Sequence, residues 1–171
     1  MIILEGIDGS GKTTLALELK KHGFKMHHFG YDDSSKSIEQ KYLDVLKQNT
    51  DRMVMDRCFI SELVYGPVLR GNCRLDKTQT INLLEQYKKV GTSIIYLKAD
   101  KDDILSRRTE DKKDSEMLSK FYEELNDKYD TAMWIASKFL DVEEINTSNL
   151  SKKETIKRLE RYVDVGFDFC R

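Results

Sequence analysis

Gly6-Ile7-Asp8-Gly9-Ser10-Gly11-Lys12-Thr13 satisfies G-x-x-x-x-G-K-[ST] at every fixed position. Each residue type in this octet suits phosphate chemistry. The glycines let the backbone curl so that successive N–H groups point at phosphate oxygens. Lys12 can reach the β- and γ-phosphates, and Thr13 can ligate magnesium. A helical run follows, and its N-terminus adds a fixed positive partial charge. Gly6, Asp8, Gly9, Ser10, Gly11, Lys12, Thr13 and Thr14 are therefore the expected nucleoside triphosphate site.

A second group follows another apolar run, Met53-Val54-Met55-Asp56-Arg57. It places an acid and a base at the carboxyl end of a strand, the edge at which open α/β sheets bind ligands. Asp56 there can hold magnesium, directly or through water. Arg57 offers a planar fork for a phosphate or carboxylate. Ser61 and Tyr65 lie one helical turn apart and can share a face toward the site, while Phe59 and Leu63 turn to the core. Arg70 and Arg74 lie just beyond, within reach of a substrate phosphate.

These residues need elements to hold them. Met1 to Glu5 reads as a buried strand, and Lys12 to about His22 as a helix stopped by Gly23. Lys25 to Phe29 is a second strand, 30–37 a polar loop and Ser37 to Lys47 a helix. Met53 to Met55 is the third strand. Phe59 to Leu69 is helical, with Pro67 expected to bend or end it, since proline supplies no N–H. Asp76 caps a helix to about Val90, Ser93 to Leu97 is a fourth strand, and helices cover Asp102–Arg108 and Ser115–Phe139. Val142 to Asn146 is a fifth strand, and Ser151 caps a last helix to about Val163. Strands alternating with helices specify a parallel sheet with helices on both faces.

The 171 residues suit one domain with a substantial core. Hydrophobic residues make up 39% and charged residues 35%, with a net charge of -1. Such a chain has no global attraction for nucleic acid. The three cysteines, Cys58, Cys73 and Cys170, have neither C-x-x-C nor zinc spacing and read as reduced thiols. A strand beginning at Met1 leaves no room for a cleavable signal, and no apolar run approaches membrane-span length. A cytoplasmic location is expected.

Taken together, Leu4 to Thr14 resembles the opening segment of thymidylate kinases, and Asp56-Arg57 with Ser61 and Tyr65 resembles that family's Asp-Arg-Tyr-x-x-Ser-x-x-Ala-Tyr-Gln block. The resemblance implies a three-layer P-loop NTPase fold over 1–171, a five-stranded parallel sheet in the order 2-3-1-4-5, and a short helical lid at about 106–116. It implies that Asp8 lies near the acceptor sugar, that Arg57 grips the acceptor phosphate, and that Tyr65 disfavours a ribose 2′-hydroxyl. Some relatives carry an arginine where Gly9 stands here. The neutralising charge is then expected from Arg107, Arg108, Lys112 or Lys113, with Arg107 slightly preferred. Related enzymes are often dimers, so a homodimer is admitted.

The chain also departs from that family. Cys58 replaces a tyrosine, Val64 an alanine, and Gly66 the glutamine that normally lies beside the acceptor base. His27 and His28 precede a loop lacking the usual Arg-Glu-Pro, and at most one of them can face the site. Tyr31 and Phe59 are candidates to stack on a base. All these departures fall on the acceptor side. The leading expectation is therefore transfer of the γ-phosphoryl group of ATP, with magnesium, to a deoxynucleoside 5′-monophosphate. One alternative is a hydroxyl acceptor on a deoxynucleoside, a modified base or a DNA end, with Asp8, Asp32, Asp33 or Asp56 as base. Another is a nucleotide-binding switch without kinase activity.

Overall fold

A computed structural model describes residues 1–29, 37–48, 51–108, 112–151 and 153–158. In chain order these form β1 (Ile2–Glu5), α1 (Lys12–Lys21), β2 (Lys25–His28), α2 (Ile38–Leu46), β3 (Met53–Asp56), α3 (Phe59–Arg70), α4 (Lys77–Lys89), β4 (Ser93–Lys98), α5 (Lys101–Arg107), α6 (Lys112–Ala136) and β5 (Asp141–Asn146). The strands make one parallel sheet in the order β2-β3-β1-β4-β5. The expected 2-3-1-4-5 topology is the one present. A last helical turn covers 153–158. The expected loop at 30–36, with Tyr31, Asp32 and Asp33, lies outside the described residues. So do 109–111 of the expected lid, Cys170 and the expected helix end near Val163.

Alternation along each strand divides the core between two faces. Ile2, Leu4, Val54, Ile95 and Leu97 pack with Leu15, Ala16 and Leu19 of α1. Ile3, Met53, Met55, Ile94 and Tyr96 pack on the other face with residues of α2, α3, α4 and α6. Strands buried on both faces need near-continuous apolar runs, which is why β1 and β3 read as they do.

Helix ends follow local chemistry. Asp76 accepts from the Gln79 N–H at 2.8 Å while the Gln79 side chain accepts from Asp76, a complete capping box. Pro67 does not end α3. The helix continues to Arg70 and stops at Gly71, whose φ of 72° is left-handed. Proline removes one N–H, and the packing of α3 against the core holds the remaining turn.

Candidate active site

β1 lies between β3 and β4; the connection from β1 runs toward one edge of the sheet, to β2, and that from β3 toward the other, to β4. The crevice at that switch point is where the carboxyl ends of β1 and β3 meet. The phosphate loop occupies it. Gly6, Gly9 and Gly11 have φ values of 145°, 90° and 100°. A Cβ on Gly6 would strike the Leu97 carbonyl oxygen, so glycine is required there on steric grounds as well. The Lys12 amine is buried and donates to the carbonyls of Gly6 (2.8 Å) and Ile7 (3.0 Å), with Asp8 at 3.6 Å. Burial lowers its pKa, and Arg57 adds to this against the opposing Asp8.

Thr13 and Asp56 meet across this crevice. The Thr13 hydroxyl donates to Asp56 Oδ2 at 2.7 Å, which leaves its lone pairs for a cation. Asp56 is 0% exposed, and its Oδ1 has no partner among the described residues. This donor set fits magnesium: a hydroxyl oxygen with its proton already placed, and a buried anionic oxygen able to take a metal-bound water. Among the described residues no cluster of three or more His, Cys, Asp or Glu side chains forms a cation site, so nucleotide phosphates and waters would complete the shell. Of His27 and His28, the second faces the site, with Nδ1 3.1 Å from Asp56 Oδ2. His27 packs on Phe29.

Glu5 takes no part in this. Its carboxylate is fully buried and accepts from the Cys58 N–H (2.7 Å), the Ser61 N–H (3.2 Å), the Ser61 hydroxyl (2.7 Å) and the Tyr129 hydroxyl (3.3 Å). Cys58 precedes α3 and gives it no side-chain cap, so Glu5 caps α3 from across the fold. Burial raises its pKa to about 6, against those hydrogen bonds.

A cleft of about 230 Å³ opens beside the loop, lined by Asp8, Phe29, Tyr42, Arg57, Ser61, Glu62, Tyr65, Arg70 and Arg74 among others. Arg57 has a φ of 73°, a left-handed conformation uncommon for a long side chain. It turns the guanidinium onto Asp8 in an ion pair and over the Tyr65 ring at 5.4 Å. Burial pushes the Asp8 pKa up, but Lys12, Arg57 and Arg108 together hold it below the usual carboxylate value. The Tyr65 hydroxyl accepts from the Asp8 N–H at 3.1 Å. Ser61 lines the cleft, with its hydroxyl committed to Glu5. Arg70 and Arg74 both bind the buried Glu62 carboxylate, Arg74 at 2.8 Å. Phe59 is not a stacking platform, because it is fully buried between Tyr42 and Tyr87. Phe29, Tyr42 and Tyr65 are the aromatic rings in the cleft wall among the described residues.

A second cleft of about 150 Å³ lies on the other side of the same loop, lined by Ser10, Gly11, Thr14, Leu15, Arg107, Thr147 and Leu150 among others. Arg107 ends α5 and is clamped there. It donates to Thr147 Oγ1 (3.1 Å), the Thr147 carbonyl (2.9 Å) and the Gly9 carbonyl (3.3 Å). Arg108 runs over the loop itself: a Cβ on Gly9 would lie 3.2 Å from Arg108 Cγ. α5 therefore occupies the space in which a side chain at position 9 would stand.

A family model described as AAA domain matches residues 2–131. The chain belongs to that family. This AAA domain chain is similar to the YorR protein from Bacillus subtilis, crystallised in complex with phosphorylated GDP: 23% identity over 96% of this chain and 95% of that one, with a TM-score of 0.79. It is similar to deoxyadenosine kinase from M. mycoides with bound dCTP (20% identity, 96% and 100% coverage, TM-score 0.62). It is also similar to thymidylate kinase from Candida albicans (14% identity, 96% and 90% coverage, TM-score 0.61). No curated protein matches it. At these identities the likeness establishes the fold, which is the P-loop kinase fold.

Two residues of this AAA domain site, Thr147 and Glu62, escape a reading of the sequence, and a third, His28, is singled out there only as one of a pair. Thr147 follows β5 at the same sheet edge as Asp56, and that position is its only local signal. Glu62 is the one acid in α3. His28 stands out only once β2 is known to pair with β3 in the register His28↔Asp56.

Proposed function

We propose that the chain is a kinase that transfers the γ-phosphoryl group of ATP to a deoxynucleoside 5′-monophosphate. The observation that carries this reading is a pair of clefts on opposite sides of one phosphate loop, Arg57 in one and Arg107 in the other. Such an arrangement lets a donor and an acceptor meet in line over the loop. The donor base lies beside Arg107 and Thr147, and its phosphates lie along Gly9 to Thr14. Thr13 and Asp56 would hold magnesium, which would supply positive charge against that developing on the phosphates. Lys12 leaves its carbonyls for the phosphates, and Arg108 supplies the charge that Gly9 lacks. Arg57, presented by Asp8 and Tyr65, binds the acceptor phosphate bidentately.

What supports a phosphate acceptor is that neither carboxylate among the described residues lining the cleft is poised as a base for a hydroxyl. The two, Asp8 and Glu62, are both paired with arginines and held below their usual pKa, Glu62 by Arg74 and Arg70 despite its burial. A monophosphate is already ionised and needs no base. Glu62 with Arg70 and Arg74 occupies the space of the family's glutamine: a Cβ on Gly66 would lie 2.9 Å from Arg70 Nη2 and 3.0 Å from Glu62 Oε1. A carboxylate accepts and a guanidinium donates. The pair suits a base edge that presents a donor beside an acceptor.

The test is phosphoryl transfer from ATP to deoxynucleoside monophosphates, nucleosides and DNA ends in parallel. Transfer to monophosphates is the expected result. Transfer confined to hydroxyls would reject the reading.

A further inference from the structure

We infer that His28 is a positioning residue for the magnesium site, acting through Asp56; this rests on the donor-site reading above. The argument begins with the Asp56 carboxylate. It is fully buried at the end of β3, yet its two oxygens are unequal. Oδ2 receives the Thr13 hydroxyl at 2.7 Å and faces His28 Nδ1 at 3.1 Å. Oδ1 has no partner among the described residues. A carboxylate only accepts, so the His28 Nδ1 carries the proton in this contact. Two donors on Oδ2 fix the rotation of the carboxylate and leave Oδ1 as the oxygen presented to the cation. Thr13 cannot do this alone. One donor defines a point, and the carboxylate can still swing about it and offer either oxygen.

The placement of His28 fits this task. β2 pairs with β3 in the register His28↔Asp56, so the sheet itself sets the distance between the two side chains. Met26, two residues earlier on the same strand, packs with the α1-side core. His28 therefore shares the face on which Thr13 stands at the start of α1, and it does not line the acceptor cleft. Its side chain is 53% exposed, so burial of apolar surface is a weak reason for a histidine here. Residues that orient a metal ligand typically contribute tenfold to a hundredfold to metal affinity.

The test uses Mn²⁺ as the probe, titrated by electron paramagnetic resonance against the full chain with a non-hydrolysable ATP analogue. His28→Ala is expected to weaken Mn²⁺ binding by about tenfold or more, with the affinity for the metal-free analogue unchanged. His28→Asn places an amide N–H close to the imidazole Nδ1–H and is expected to restore most of that loss. It can orient Asp56, but it lacks the ring Nε2 that would act as a base or as a metal ligand. Melting curves of both variants establish that each is folded. Wild-type affinity for Mn²⁺ in His28→Ala would overturn the inference, as would a loss that His28→Asn fails to restore. If the wild-type chain binds no Mn²⁺ with the analogue, the donor-site reading itself falls, and the role of His28 with it.

Discussion

Two buried ionisable side chains carry opposite duties. Lys12 rests on loop carbonyls, contacts that a nucleotide phosphate can replace at little cost to the fold. Lys12→Ala is expected to lower turnover by on the order of 10²–10³, the typical effect of losing one preorganised charge on the transferred group. The measurement is kcat under saturating ATP and acceptor, with melting temperature as the control. Glu5 is structural, and its signature is a pH dependence. Its pKa in the folded chain, about 6, is above the ordinary 4.5. The native state therefore binds the proton more tightly than the unfolded chain does. Stability from this group is fully present below about pH 4.5 and is lost as pH rises through about 6. A shift of that size corresponds to roughly 2 kcal/mol. Urea unfolding of wild type and Glu5→Gln between those limits should show the slope in the first and its absence in the second. Parallel slopes would mean that Glu5 titrates normally.

At the scale of elements, the short α5 sets the arrangement of the donor side. It brings two consecutive arginines to the loop and gives them different partners: Arg107 is held by Thr147 after β5, and Arg108 lies over Gly9. Consecutive helix-end side chains point in different directions, so one position can hold the donor base while the next meets its phosphates. Arg107→Ala is expected to raise the KM for ATP with a smaller effect on kcat. Arg108→Ala is expected to lower kcat by on the order of 10², as for other clamps on a transferring phosphoryl group. Steady-state kinetics with ATP varied would separate the two, and the reverse pattern would restore the preference for Arg107. Neither variant should shift the melting point by much, since partly exposed charges contribute little to folding.

For the whole molecule, the two clefts are joined through β1, β3 and the loop between β1 and α1, so donor binding acts on the most buried strands of the sheet. Any ligand that binds only the folded chain stabilises it, by about 2.7 kcal/mol at a concentration one hundred times its dissociation constant. ATP with magnesium should therefore raise the melting temperature, and EDTA should remove most of the increase. An equal rise with and without the chelator would show that Thr13 and Asp56 do not take part in a cation site.

Much of this was legible before any fold was drawn. The phosphate loop is local: eight consecutive residues determine both its backbone path and its chemistry. The apolar runs of β1, β3 and β4 announce a parallel sheet because strands covered on both faces tolerate few polar side chains. The capping box at Asp76 is readable for the same reason, since both partners lie within one helical turn. Long-range pairing decided the rest. Glu5, next to the loop, is by position alone as open to a cation as Asp56, but donors from Cys58, Ser61 and Tyr129 saturate it. Pro67 reads as a bend or an end, yet packing carries α3 past it to Arg70, one residue beyond the expected Leu69. Arg70 reads as a phosphate ligand until Glu62 is found between it and Arg74. Arg107 and Arg108 are barely separable in sequence, which favours Arg107 only slightly for the phosphates, and a threonine forty residues away sets them apart. Each of these outcomes depends on which side chains the sheet order brings together, and a one-dimensional pattern holds no distance between strands that are not neighbours in sequence.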